Sequence, residues 1–242
     1  MNAPDPAERS RFLRWLENYW YHYKWHTIIA LFFVFTFVVI LVQCSSRETY
    51  DLTVTYAGPR ILNTVEQDGF GSALEAVLPA DYDGNGNKAV QLVTYGVYSE
   101  EELFLAYSSE GPDGTRVTDD FDYSNARKQN VDESTAFSTF VKTGESAILF
   151  VSPYVYEAYE LSKLAVPLAE TFGSEIPEGA ADDYAVRLKD TGFYAAYATV
   201  RDLPDDTLIL LMRPIVYGKT AKKAVYGQYE QTYRALLSYR PE

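Results

Sequence analysis

The sequence predicts an α/β protein in which a single N-terminal transmembrane helix precedes an outer domain built on a mixed or parallel sheet. Residues 27–42 are apolar and contain no charged residue, proline or glycine. Beyond residue 50, β-rich stretches alternate with stretches of helical periodicity. Several strands are apolar throughout, which is typical of a sheet covered on both faces. We therefore divide the chain into a cytoplasmic amphipathic juxtamembrane helix (1–24), a transmembrane helix (25–44) and an extracytoplasmic α/β domain (45–242).

The predicted anchor, residues 25–44, reads "WHTIIALFFVFTFVVILVQC". Its 20 residues match the length that crosses about 30 Å of hydrocarbon. The preceding "NYWYHYKWH" is rich in the aromatic residues that occupy the headgroup region. Four Lys or Arg residues lie shortly before the span and two shortly after it. This bias predicts a cytoplasmic N-terminus and an extracytoplasmic C-terminal domain in the cell membrane.

Cys44, the only cysteine, leaves a lipoprotein as the alternative to a retained span. Leu41 and the serines after Cys44 suit lipidation, but the signal peptidase requires a small residue where Gln43 stands. A capping pattern at Asp5–Glu8 also predicts a helix upstream of the span. We therefore favour a retained helix.

The helix that precedes the span has apolar and aromatic residues at helical spacing. One interpretation is a segment that lies on the inner leaflet or binds a partner helix. The other is a helical extension that only stabilises the span. The predicted partners are therefore the membrane, through residues 25–44, and a membrane protein, through residues 6–43.

Composition excludes several functions for the outer domain. Residues 45–242 carry 17 basic against 31 acidic residues, a net charge of −14, so nucleic-acid binding is not expected. They contain no cysteine and no histidine, which excludes a Ser-His-Asp triad, a cysteine nucleophile and a histidine-bound zinc ion within this domain. A carboxylate pair remains the only obvious catalytic chemistry, and 31 acidic residues make such pairs unspecific.

The outer domain is predicted to begin with a strand (50–58), a helix interrupted near Gly69–Gly71 (61–78), a turn cluster (80–88), a second strand (88–98) and a helix start (99–107). Residues 108–130 are polar and turn-rich, which predicts a long exposed loop or a small hairpin. The remaining elements are predicted as a helix (131–144), a buried strand (145–153), a helix that starts at Pro153, two strands (184–188 and 207–217) and a closing helix (219–239).

"DYDGNGN" (81–87) resembles the start of a calcium-binding loop, with Asp81, Asp83 and Asn85 as the candidate ligands. A complete loop of this kind needs an acidic residue at its twelfth position, where this chain has Leu92. The alternative is an Asx-rich turn before a strand. Calcium is thus the only candidate cofactor, and a turn is the more economical interpretation.

"SPYVYEAYE" (152–160) places Ser152, Tyr154 and Tyr156 just after a predicted strand. Ligands of open α/β sheets bind at the carboxyl ends of strands, so these residues are the candidate ligand-binding site. The alternative is that the tyrosines pack on the sheet. "YGKT" (217–220) lacks the leading glycine of a phosphate-binding loop and predicts only a turn before a helix.

Residues 137–170, "FSTFVKTGESAILFVSPYVYEAYELSKLAVPLAE", resemble extracytoplasmic solute-binding proteins of ABC transporters. The resemblance rests on the turn at 143–145, the buried strand at 148–152 and the "VPL" segment at 166–168. The first strand and helix (51–78) fit the same scheme. The resemblance implies a reduced periplasmic-binding-protein-like fold, because 198 residues are too few for two full lobes. "YWYHYKWHTI" is similar to the opening of small membrane-anchored proteins of Gram-positive bacteria.

Together these observations predict a membrane-anchored, non-enzymatic extracytoplasmic domain that binds a small molecule, a peptide or a protein partner. The alternative is a structural or assembly subunit of a cell-envelope complex without a small ligand. A concave cleft lined by the 152–156 residues would favour the first function. A filled cleft beside an exposed apolar surface would favour the second.

Overall fold

A computed structural model describes residues 11–45, 49–111 and 114–241, which form two compact units divided between Glu48 and Thr49. The first unit contains α1 (Arg11–Ser45), a continuous helix of 35 residues. At 1.5 Å per residue it is about 52 Å long, well beyond the roughly 30 Å of a hydrocarbon layer. The predicted helix start at Asp5–Glu8 lies outside the described residues, as do the side chains of Gln43 and Cys44.

Within the described residues, Trp15–Ile40 is the one helical segment that is long and apolar enough to cross a membrane. A signal sequence would have the same length and composition. An aromatic stripe of Trp15, Tyr19 and Tyr23 runs along this helix, with ring centroids 5.5 and 5.4 Å apart. The spacing of four residues brings these rings onto one helix face.

The second unit holds a five-stranded mixed sheet and a small hairpin. Its strands are β1 (Leu52–Gly58), β2 (Val90–Gly96), β3 (Ser108–Glu110), β4 (Arg116–Thr118), β5 (Ile148–Val151), β6 (Ala185–Arg187) and β7 (Leu208–Leu211). Its helices are α2 (Thr64–Val77), α3 (Glu100–Tyr107), α4 (Asp120–Thr143), α5 (Pro153–Ala158), α6 (Leu168–Phe172), α7 (Gly192–Ala196) and α8 (Lys223–Leu237).

The sheet has the strand order β2-β1-β5-β7-β6. β1 pairs in parallel with β2 and with β5, whereas β7 is antiparallel to both β5 and β6. β3 and β4 pair with each other outside this sheet. The predicted mixed sheet is therefore confirmed, and β2 and β6 are its edge strands.

Hydrophobic packing covers both faces of the sheet. On one face, Phe70 of α2 and Tyr233 of α8 pack in a core cluster with Val54 of β1. On the other face, Phe137 of α4 and Val155 of α5 belong to a second cluster. Alternate residues of the central strands face opposite layers, as the strand period of two requires. This explains why β5 and β7 are apolar throughout.

The predicted interruption of the second element near Gly69–Gly71 is wrong, because α2 runs through both glycines. A Cβ atom at Gly69 would lie 2.6 Å from Cγ2 of Thr199, and the Thr199 hydroxyl donates to the Gly69 carbonyl at 3.1 Å. The glycine therefore permits close packing of α2 against the 198–202 turn. Its helical cost is about 1 kcal/mol, which tertiary contact offsets.

The predicted loop or hairpin at 108–130 is only half confirmed. β3 and β4 form the hairpin, but α4 begins at Asp120, eleven residues before the predicted helix start. The Asp119 carboxylate accepts hydrogen bonds from the backbone N–H groups of Phe121 and Asp122 and so caps the helix. The first turns of α4 are polar because only Ala126 in this stretch is buried.

Candidate functional site

The carboxyl ends of the parallel strands β1, β2 and β5 lie on the same side of the sheet, at Gly58, Gly96 and Val151. β2 lies on one side of β1 and β5 on the other, so the chain changes direction across the sheet between β1 and β5. Ligands of open α/β sheets bind at such a switch point. The crevice between the ends of β1 and β5 is therefore the first candidate site.

Side chains of the protein itself occupy this crevice. Tyr56 is 1% exposed, and a Cβ atom at Gly58 would lie only 2.7 Å from its hydroxyl oxygen and 3.4 Å from Cβ of Ser152. The Tyr56 hydroxyl accepts a hydrogen bond from the backbone N–H of Arg60 at 3.4 Å. Burial raises the pKa of Tyr56. Tyr56 thus fills the end of the crevice with a neutral aromatic ring.

Ser152, the first of the predicted ligand-binding residues, has a structural role. Its side chain is 2% exposed, and its hydroxyl accepts a hydrogen bond from the backbone N–H of Val155 at 3.3 Å. Its own N–H donates to the carbonyl of Ala57 at 3.0 Å. Ser152 therefore caps α5 and continues the β1–β5 pairing, with Pro153 at the first helical position.

The predicted tyrosines differ in their surroundings. Tyr154 is 41% exposed, whereas Tyr156 is half-buried and donates a hydrogen bond to a carboxylate oxygen of Asp182 at 2.6 Å. Burial, followed by the Asp182 carboxylate, raises the pKa of Tyr156. Both cavities described below are lined by other residues, so a ligand site at Ser152, Tyr154 and Tyr156 stays a prediction.

The edge of β2 is open for pairing. Among the described strands, β2 pairs only with β1. The N–H of Val97, which follows β2, donates to the Gly58 carbonyl, so odd-numbered residues face β1. The N–H of Val90 instead donates to a Glu75 carboxylate oxygen at 3.2 Å. By this alternation the backbone groups of Leu92, Thr94 and Gly96 point away from β1.

A pocket of about 110 Å³ lies at the carboxyl end of this edge. It is lined by Arg60, Ile61, Thr94, Tyr95, Gly96, Gln129 and Glu133. The lining comes from the loop after β1, from β2 itself and from α4. Of these residues, Ile61 is 60% exposed. The free edge therefore combines open backbone groups with a small pocket and an apolar rim.

The two charged residues of this pocket differ in their partners. Arg60 forms an ion pair with Glu66 at 2.7 Å, and Glu66 also accepts a hydrogen bond from the Asn63 backbone N–H. These contacts lower the pKa of Glu66, with the Asn63 hydrogen bond as the main cause. Glu133 is half-buried and forms no ion pair within the described part of the chain. The pocket thus presents one uncompensated carboxylate.

A larger, more open cavity of about 620 Å³ lies beside the end of α8. Its lining includes Phe172, Glu178, Asp190, Arg234 and Arg240. The Arg234 guanidinium lies over the Phe172 ring at 5.7 Å and pairs with Glu230 at 2.8 Å. The cavity therefore offers an aromatic wall and charges of both signs.

The predicted calcium ligands Asp81 and Asp83 lie close together, and Asp51 joins them. One carboxylate oxygen from each of the three lies within 4.8 Å of the others. Asn85 instead donates from its side chain to Thr49 at 2.9 Å and to Asp83 at 2.9 Å. Sequence reasoning missed Asp51 because it stands 30 residues before Asp81, immediately before β1.

Backbone N–H groups already hold these carboxylates. Asp51 accepts hydrogen bonds from Tyr82, Asp83 and Ala89, and Asp81 accepts from Gly84 and Gly86, both at 2.7 Å. Hydrogen bonds from the Thr49 side chain and the Asn85 backbone lower the pKa of Asp83. These hydrogen bonds give the acidic residues a structural role, because they stabilise a tight loop before β2. Calcium binding stays a prediction.

No protein-family model, curated protein or solved structure matches this chain.

Proposed function

We propose that this chain is a membrane-anchored, non-enzymatic protein whose extracytoplasmic domain binds an extended polypeptide segment along the free edge of β2. The observation that carries the proposal is the contrast between the two candidate places at the sheet. Tyr56 fills the crevice at the switch point, whereas the edge of β2 keeps open backbone groups beside a small pocket.

The composition of β2 supports this choice. Exposed edge strands usually carry lysine, proline or a bulge, because an unprotected edge pairs with other chains. β2 reads "VQLVTYG", with no charged residue and no proline, and its seven residues pair with β1 without a bulge. A strand that is left unprotected in this way is suited to β-augmentation, in which a peptide adds a strand to the sheet.

In this proposal the resemblance to solute-binding proteins concerns the fold and not the kind of ligand. One five-stranded mixed sheet with helices on both faces supports a reduced, single-lobe form of that fold. A polypeptide ligand is also compatible with the alternative function, because a subunit of a cell-envelope complex would bind a neighbouring subunit through the same edge of β2. The filled crevice argues against a solute bound at the switch point.

We further propose that α1 is retained as a membrane anchor, with the N-terminus in the cytoplasm. The continuity of α1 from Arg11 to Ser45 supports this, because the helix extends well before the apolar segment. Intact mass spectrometry of the membrane-extracted protein tests retention. A mature chain that starts at a lipid-modified Cys44, or that lacks residues 1–44, would overturn the proposal. Protease added to intact cells should remove residues 49–242 if the orientation is correct.

Selection from a displayed random peptide library, with the full-length protein in lipid nanodiscs as the target, tests peptide binding. Amide hydrogen exchange then locates the bound peptide. We expect the selected peptides to slow exchange at Leu92, Thr94 and Gly96. Because Thr94→Pro removes one outward N–H and places a ring at the edge, it should abolish binding. A library that gives no binder, or peptides that protect only other segments, would refute the proposal.

The larger cavity favours a second candidate function, which is the binding of a small zwitterion. Its 620 Å³ falls within the usual range of about 300–1,000 Å³ for small-molecule sites. Arg234 and Arg240 could face a carboxylate, and Glu178 and Asp190 an ammonium group. Thermal-shift measurements with the twenty amino acids test this candidate. It is ruled out if none raises the melting temperature, or if Arg240→Ala leaves a positive shift unchanged.

A further inference from the structure

We infer that the β2 edge selects a polypeptide that places a lysine or arginine side chain in the pocket beside Thr94 and Gly96. This inference rests on the proposed function and specifies the chemistry of its ligand. The basic side chain would meet the carboxylate of Glu133.

The pocket lies where an added strand would run. Thr94 and Gly96 have outward-facing backbone groups and also line the pocket. Ile61 borders it from the loop after β1, and Glu133 borders it from α4. A peptide paired with the carboxyl half of β2 would therefore pass directly over the pocket. Because strand side chains alternate, one residue of the peptide would have its side chain at this point.

The volume of the pocket limits the size of the ligand side chain that it accepts. The cavity of about 110 Å³ corresponds to three or four waters at roughly 30 Å³ each, which is enough for one extended side chain. Exposed Ile61 offers apolar surface to the methylene groups of such a side chain. The charged head would then lie beyond the methylene groups, near the polar part of the lining.

Charge complementarity selects a basic head group. Glu66 pairs with Arg60 at 2.7 Å, so the charge of Arg60 is already partly offset and attracts an acidic ligand less strongly. Glu133 forms no ion pair within the described residues, and a bound strand would remove water from its carboxylate. An unpaired charge in a covered site is costly, whereas a hydrogen-bonded basic partner offsets that cost.

The surroundings strengthen the same preference. Burial, followed by the nearby Glu133 and Glu145 carboxylates, raises the pKa of Tyr95 in the pocket wall, so two acidic groups act on this ring. The domain as a whole carries a net charge of −14. Its field attracts basic segments and repels acidic ones during the approach of a ligand.

Sequencing of the peptides selected with the full-length protein in nanodiscs provides the test. We expect lysine or arginine at one shared position in the peptides that protect Thr94 and Gly96 from exchange. Substitution of that residue by norleucine, which keeps the methylene groups, should weaken binding about tenfold. In Glu133→Gln the lysine and norleucine peptides should bind within about twofold of each other.

Asp132→Asn is the matched control, because it removes the same charge from the neighbouring position of α4 outside the pocket. It should keep the tenfold preference, and both variants should keep the melting temperature of the parent protein. Edge-binding peptides without basic enrichment, or a lysine preference that persists in Glu133→Gln, would overturn this inference and leave the proposed function intact. Failure of the proposed function itself would appear as a library without binders or as protection away from β2.

Discussion

Replacement of Tyr233 by phenylalanine is expected to stabilise the domain that follows α1. Tyr233 lies on α8 and is 1% exposed, and its hydroxyl has no hydrogen-bond partner within the described residues. Burial raises its pKa, which reflects the same absence of solvation. The ring packs near Phe172, with centroids 5.9 Å apart, and phenylalanine would keep that contact. The substitution therefore removes an unsatisfied polar group and little else.

Tyr229, one helical turn earlier, provides a matched comparison. It is 3% exposed, but its hydroxyl accepts a hydrogen bond from the Thr53 N–H at 3.2 Å and donates to the Glu145 carbonyl at 3.4 Å. Leaving a buried polar group unpaired costs about 1–3 kcal/mol. Tyr233→Phe should accordingly raise the free energy of unfolding by about 1–2 kcal/mol, and Tyr229→Phe should lower it by about 1–3 kcal/mol.

Urea denaturation of residues 49–242, followed by far-UV circular dichroism, measures both changes. In a domain of this size 1 kcal/mol corresponds to about 2–4 °C in melting temperature. The two variants should therefore shift the melting temperature in opposite directions. The reasoning is wrong if Tyr233→Phe lowers the stability as much as Tyr229→Phe does, because the hydroxyl of Tyr233 would then have a partner.

Three further predictions concern pH, backbone conformation and the acidic loop. Burial raises the pKa of Tyr226 from 10.0 to about 12. Between these values Tyr226 loses its proton only in the unfolded chain, and the other buried tyrosines act in the same direction. Stability should therefore fall from pH 10 to 12, as a pH series of urea denaturations would show. Gly144→Ala should lower the free energy of unfolding by at least about 1–2 kcal/mol, because φ is +61° and the new Cβ would lie 2.8 Å from Cβ of Ile215. Asp51→Asn should lower the melting temperature even in EDTA, because the carboxylate accepts three backbone hydrogen bonds.

A specific experimental result would contradict each of these three predictions. Stability that stays constant between pH 10 and 12 would mean that Tyr226 and the other buried tyrosines ionise equally in both states. Gly227→Ala is the control for Gly144, because it lies inside α8 with open space around it and should stabilise by about 1 kcal/mol. If Gly144→Ala behaves like Gly227→Ala, the left-handed conformation is not required. If Asp51→Asn changes stability only when calcium is present, the Asp51 carboxylate acts as a metal ligand and does not stabilise the loop by its hydrogen bonds.

The sequence pattern predicted β1 and β2 well because both are rich in residues of high β propensity and lie next to turn residues. The predicted strand at 50–58 became Leu52–Gly58, and the one at 88–98 became Val90–Gly96. The start of α4 was missed because its first three turns face solvent and carry few apolar residues. The predicted long strand at 207–217 ends at Leu211, and the chain beyond Pro214 forms turns before α8.

The candidate site could not have been predicted in the same way. The sequence shows a strand at 88–98 but not that it lies at an edge of the sheet, since strand order depends on long-range pairing. Arg60 and Glu133 line one pocket although 73 residues separate them. Equally, nothing in the local pattern indicates that the Tyr56 hydroxyl reaches over Gly58 and fills the crevice. The general rule for open sheets therefore directed attention to Ser152, which the structure assigns to helix capping.

The tryptophans of α1 have a practical consequence for spectroscopy. All three tryptophans of the chain, Trp15, Trp20 and Trp25, lie in this helix, and the domain that follows it contains only tyrosine and phenylalanine as fluorophores. Tryptophan emission from the intact protein therefore reports on the polarity around the helix alone. Tyrosine signals from the isolated domain report on its own packing without interference, so insertion into lipid and unfolding of the domain can be followed as two separate optical readouts.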